Sequence, residues 1–214
     1  MTATQPQHTS TDVRAWAWAR TGTGLLLDAA AALDEDAFRA PSTLPEWSRG
    51  HLVAHVAANA DALCNLVHWA ATGEKRPMYA SPEERAAGIA KGPTLSADEL
   101  RTWLTASAER LAEGLDRLTD EQWRREVVTA QGRTVPATQI PWMRAREVCV
   151  HAVDLGTGIT FADLPHGFLA ALTDEIRAKR GLGELPEDPL PEVTAWLAGR
   201  PHALADAPEL GPWL

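Results

Sequence analysis

The sequence predicts an all-α protein, a four-helix bundle followed by a short, mainly helical C-terminal extension. Three observations carry that expectation. Four long segments repeat apolar residues at i, i+3, i+4 and i+7, the spacing that gives a helix one buried face. Prolines, glycines and small polar residues of the kind that cap helices punctuate the stretches between them. The 49 residues after Pro165 show helical spacing and prolines, without strand alternation, an internal repeat or a low-complexity tract. The expected organisation is a helix bundle over residues 1–165 and a reduced C-terminal region over 166–214.

After a polar start, the first helix is expected from Asp12 to about Leu33, weakened in its middle by Gly22 and Gly24. The linker APSTLPEWS ends on Ser48, a good N-cap. Leu52, Val53, Val56, Ala60, Leu63, Val67 and Ala70 then recur at helical spacing to about Thr72. The stretch TGEKRPMYASPEERAAGIAKGP is expected to be a long connection, a lid or a packed surface loop. Ser96 and Glu99 form a capping-box pattern ahead of a third apolar face: Leu100, Trp103, Leu104, Ala108, Leu111, Leu115 and Leu118. WRREVVTAQGRTVPATQ is polar and broken by Gly132 and Pro136. A fourth helix follows from about Ala137 to Leu155, kinked or restarted at Pro141, and two more are expected at 167–179 and 190–199.

With 214 residues and 45% hydrophobic content, the chain can bury a substantial core. A net charge of -9 repels nucleic acid and anionic membranes, which leaves small molecules or proteins as partners. No apolar run approaches the ~20 residues of a membrane span, and MTATQPQHTS lacks the basic and apolar regions of a signal peptide. A cytoplasmic monomer is expected. Cys64 and Cys149 both fall inside predicted helices, so reduced, buried thiols are expected.

The segment REVCVHAVDL sets a physical problem. Met143, Glu147, His151 and Leu155 fall on one helical stripe, and a carboxylate facing a core costs several kcal/mol, roughly, unless it is paired or binds a metal. His51 and His55, in HLVAH, share a stripe with Asn59, and helical phase does not choose between the two histidines. Either imidazole, joined to Glu147 and His151, makes the His₂-carboxylate set that suits a catalytic zinc with one open position. The same set also suits iron or nickel. At ~100° per residue Cys149 and Cys64 point away from these stripes, so thiol chemistry here needs an external, low-molecular-weight thiol. His8, His68, His166 and His202 are expected to be structural or solvent-exposed.

With those residues in view, the chain resembles the mycothiol-dependent maleylpyruvate isomerases, whose N-terminal part is a DinB-like four-helix bundle. The resemblance is carried by EWSRGHLVAHVAANADALCNLVHWAATGEKRPMYASPEER, by VVTAQGRTVPATQIPWMRAREVCVHAVDLGTGITFADLP, and by LAGR with the terminal GPWL. It implies zinc ligands at the second His of HLVAH and at the Glu and His of REVCVH, which are His55, Glu147 and His151. It also implies a catalytic Arg200, from LAGR. The family's C-terminal part is usually larger and includes a small sheet, whereas helices and prolines alone are expected here.

The reaction so implied is cis-to-trans isomerisation of maleylpyruvate to fumarylpyruvate, a step of gentisate breakdown, with Zn2+ and mycothiol as cofactors. Zinc would deprotonate the thiol; the thiolate would add to the electron-poor alkene, allow rotation about the resulting single bond, and leave again. A dicarboxylate substrate calls for cations, and Arg133, Arg144, Arg146 and Arg200 are the candidates. Two rivals use the same ligands: a mycothiol S-transferase acting on another electrophile, and a non-catalytic metal-binding bundle.

Overall fold

The structure is a computed structural model that describes residues 10–211 and 213. The polar start with His8, and residues 212 and 214 of GPWL, lie outside the described residues. The chain divides into two compact units, Met1–Gly156 and Thr157–Leu214.

The first unit contains α1 (Ser10–Ala31), α2 (Glu35–Arg39), α3 (Arg49–Thr72), α4 (Pro82–Ala90), α5 (Ala97–Asp116) and α6 (Asp120–Trp123). A hairpin of β1 (Glu126–Val128) and β2 (Thr134–Pro136) then leads to α7 (Ile140–Asp154). The four long helices α1, α3, α5 and α7 form a bundle in which α3 packs on α5 and α7, and α1 packs on α7 and α5. Leu63, Leu66, Leu111, Leu115, Val127 and Ile140 lie in one apolar cluster, each 1% exposed or less. No helix among the described residues is long and apolar enough to cross a membrane.

Local chemistry sets where the site-bearing helices begin and end. Ser48 accepts the His51 amide, while His51 Nδ1 accepts the Ser48 amide at 3.2 Å, a reciprocal cap at the head of α3. Pro141 sits in the first turn of α7, where its missing N–H leaves no bond unmade; one 3₁₀ turn, Ala137–Gln139, precedes it. The helix therefore restarts at Pro141. Past its far end, Arg49 Nε and Nη2 donate to the carbonyls of Leu155 and Gly156 at 2.8 and 3.0 Å. That guanidinium ties the start of α3 to the end of α7.

Two stretches read as connections hold regular structure. The segment after α3 contains α4, capped by Ser81, with Pro82 and two glutamates in its first turn and no buried residue. The polar stretch after α6 forms the antiparallel hairpin, with Val127 opposite Val135.

In the second unit, α8 (His166–Arg180) and α9 (Leu190–Leu197) pack on each other, and Phe168, Leu172 and Ile176 of the first and Val193 and Leu197 of the second are buried. The Thr173 and Thr194 hydroxyls meet at 2.8 Å. After α9, Gly199 takes the left-handed conformation (φ 67°), and the amides of Gly199 and Arg200 return to the carbonyls of Trp196 and Ala195 at 2.9 Å. This Schellman closure gives the Gly-Arg of LAGR a backbone reason.

Candidate metal centre

α3 supplies His55 and α7 supplies Glu147 and His151, one turn apart on the same face. His55 Nε2 lies 3.0 Å from Glu147 Oε2, and His151 Nε2 lies 3.4 Å from the same oxygen. One ligand atom from each of the three residues falls within 4.8 Å of the others. The imidazoles meet edge to face, with centroids 5.1 Å apart. His51, which phase alone leaves open, points its Nδ1 at the helix cap, and Trp47 stacks on it at 6.5 Å. The same indole meets His55 in a T-shaped arrangement, with ring centroids 5.4 Å apart.

Behind the cluster, His151 Nδ1 donates to Asp154 Oδ2 at 2.9 Å. Asp154 is fully buried, and its backbone carbonyl accepts from the Thr43 amide and hydroxyl at 2.9 and 3.0 Å. A carboxylate on one ring nitrogen sets the tautomer and turns the other nitrogen toward the cluster. Asp154 was not singled out in the sequence, although it lies three residues past His151, beside that stripe on the helix surface.

The electrostatics follow from burial and these partners. Burial alone would raise the Glu147 pKa, but hydrogen bonds from His151 and His55 hold the carboxyl well below its ordinary range. Burial would lower the His151 pKa, but Asp154 and Glu147 push it up to about 9. For His55 burial prevails and the pKa is lowered, despite its bond to Glu147. The donor set of two imidazoles and one ionised carboxylate, with a supporting carboxylate behind one imidazole, fits a divalent ion such as zinc. Neither thiol belongs to the cluster: burial raises Cys64 to about 11 and Cys149 to about 12, and Cys149 Sγ faces the Trp18 carbonyl at 3.6 Å.

His55 and Glu147 open onto a cavity of about 620 Å³. Its other walls include Lys75, Tyr79 and Arg85 from the segment after α3, Thr129 from the hairpin, and Arg146 from α7. Of the arginines expected to meet substrate, Arg146 lines this cavity and Arg133 is exposed at the hairpin turn. Arg144 departs from that expectation. It is 1% exposed and its Nη1 donates to Val56 O at 2.8 Å and Asn59 Oδ1 at 3.0 Å, so it fastens α7 to α3. Arg200, in the second unit, is 6% exposed and donates from Nη1 to the Ala198 carbonyl at 2.8 Å. Lys75 and Arg85 were missed, because no helical stripe marks the segment that carries them.

Comparison with known proteins bears on this arrangement. The family model of the mycothiol maleylpyruvate isomerase N-terminal domain matches residues 19–156. No curated protein matches the chain. Among solved structures, a mycothiol-dependent maleylpyruvate isomerase is 39% identical over 94% of this chain and 97% of its own, with a TM-score of 0.87. A histidine-to-alanine mutant of such an isomerase gives the same values. YfiT from Bacillus subtilis, a protein with an unusual four-helix bundle topology, shares the fold at 14% identity, with a TM-score of 0.54 over 72% of this chain and 91% of its own. The family model spans well over half of the sequence and ends where the first compact unit ends, and the chain belongs to the mycothiol maleylpyruvate isomerase family.

Proposed function

We propose that the chain is a zinc- and mycothiol-dependent isomerase that converts maleylpyruvate to fumarylpyruvate. The observation that carries this reading is the convergence of His55, Glu147 and His151 from two helices at the edge of a cavity whose walls include Lys75, Arg85 and Arg146. A metal centre beside three cations suits a dicarboxylate substrate.

His55, Glu147 and His151 would hold the zinc, with Asp154 fixing the orientation of His151. When bound there, zinc supplies the Lewis acidity that turns mycothiol's thiol into a thiolate, the nucleophile whose reversible addition lets the cis double bond rotate. Lys75, Arg85 and Arg146 neutralise and orient the two carboxylates. Cys64 and Cys149, with pKa values raised to about 11 and 12, stay protonated at neutral pH and do not compete as nucleophiles. Arg200 is proposed as a further catalytic residue on the strength of the LAGR match.

The deciding assay follows maleylpyruvate spectrophotometrically, with the zinc-loaded protein and with or without mycothiol. Fumarylpyruvate should form only with the thiol present, and His55→Ala should abolish both stoichiometric metal and turnover. A stable thiol conjugate in place of fumarylpyruvate would replace this reading with an S-transferase. Metal binding without any turnover would replace it with a non-catalytic bundle.

A further inference from the structure

The α3–α7 interface holds a polar pair one turn from the metal cluster that the scheme above does not use. Arg144, three residues before Glu147, is the largest fully buried side chain among the described residues. Its Nη1 donates to Val56 O and Asn59 Oδ1, while its Nη2 is buried without a partner among the described residues. An unrelieved buried guanidinium nitrogen is costly, so this arginine is held for a reason other than minimal desolvation. Asn59, four residues after His55, is 4% exposed and lines the cavity beside His55 and Glu147.

Guanidinium can only donate. The Asn59 atom that faces Arg144 is therefore the amide oxygen, and the orientation of the amide is settled by chemistry. Its nitrogen forms no hydrogen bond with any described residue. Two N–H donors are thus left on a side chain that lines the cavity with His55 and Glu147, on an amide that cannot flip without breaking its bond to a buried cation.

We infer that Asn59 is a substrate-binding residue whose amide N–H donates to an anionic oxygen of the bound dicarboxylate, and that Arg144 is the positioning residue that locks the amide in that orientation. The geometry suits a fixed donor: a group that is already oriented loses little freedom when the ligand arrives. The inference rests on the proposed isomerase reading only for the identity of the dicarboxylate.

The test uses the full-length, zinc-loaded protein and maleate, a cis-dicarboxylate probe that needs no turnover. Calorimetric titration should show maleate binding weakened about tenfold or more in Asn59→Ala, the loss expected for one hydrogen bond to a charged group, and further in Asn59→Asp. Zinc per chain should be unchanged in both. Arg144→Lys should weaken maleate about as much as Asn59→Ala. The double variant should be no weaker than either, since a purely structural arginine would add an independent loss. Binding within twofold of the parent protein in both Asn59 variants, loss of zinc in Asn59→Ala, or no maleate binding by the parent protein would each overturn the inference. Parallel turnover assays separate it from the isomerase reading. Unaltered maleate affinity in variants of an active isomerase sinks the inference alone, whereas an Asn59-dependent affinity in a protein that makes no fumarylpyruvate sinks the isomerase alone.

Discussion

The two faces of α7 are held by different physics. Toward α3 the helix carries Arg144, Glu147, His151 and Asp154, joined to Val56, Asn59, His55 and each other by directed bonds of 2.8 to 3.4 Å. Toward α1 it carries Val148 and Cys149, which pack where α1 has only the hydrogen of Gly22. Partner chemistry specifies the first face and volume specifies the second. Isosteric substitutions should therefore break the first and spare the second, and substitutions that add a methyl group should do the reverse.

Glu147→Gln should produce the largest effect. It preserves shape but removes the charge that the two imidazoles and a divalent ion all require. Turnover should fall roughly 10³-fold or more, because several kcal/mol of electrostatic stabilisation leaves with the metal. Atomic absorption should find little zinc. Full zinc with parental turnover would show that Glu147 is not a ligand. Asp154→Asn comes next: losing the carboxylate behind His151 should weaken zinc binding about 10–100-fold in a chelator competition, with the helical circular dichroism retained.

The pH response separates the faces without any mutation. His151 is raised to about 9 in the metal-free fold against an ordinary value of 6.5, so its protonated form stabilises that fold. This contribution is complete below pH 6.5 and is lost as pH rises through about 9, so the melting temperature of metal-free protein should fall across that window. Metal binding requires the neutral imidazole and releases that proton, so apparent zinc affinity should climb about tenfold per pH unit between roughly pH 7 and 8.5. A flat affinity over that range would mean that His151 carries no proton to release.

The same division explains what could be read from sequence. The long helices declared themselves by the apolar period of α3 and α5 and by the capping serines Ser48 and Ser96. Helix α4 has no buried residue, and the strands of the hairpin are three residues each, so neither leaves a periodic trace. At the site, the stripe of Glu147 and His151 was legible, but phase could not separate His51 from His55. The separation comes from where α3 starts, since Ser48 claims His51 for the cap. Arg144 looked like a substrate cation because sequence shows charge without direction, and the helix turns it inward. Gly22 and Gly24 looked alike as helix-weakening residues, and they are not alike.

A methyl group at Gly22 would sit 2.6 Å from Cys149 Sγ, 2.8 Å from Val148 Cγ2 and 2.9 Å from the Cys149 backbone nitrogen. Gly22→Ala should therefore cost about 1–3 kcal/mol by overpacking, measured by urea unfolding. Adding Cys149→Ala should recover only part of that loss, since the backbone contact remains.

At Gly24 an added methyl group meets nothing within 4 Å. Alanine there keeps every contact and narrows the unfolded ensemble, so Gly24→Ala should stabilise by about 0.5–1 kcal/mol, the smallest change and the only gain. Zinc affinity should not move in either glycine variant if α1 serves volume alone. A shift in zinc affinity in Gly22→Ala without one in Gly24→Ala would show that the packed face transmits its displacement through α7 to Glu147 and His151. The two faces would then be one mechanical unit, because a helix rigid enough to hold both registers cannot yield on one side only.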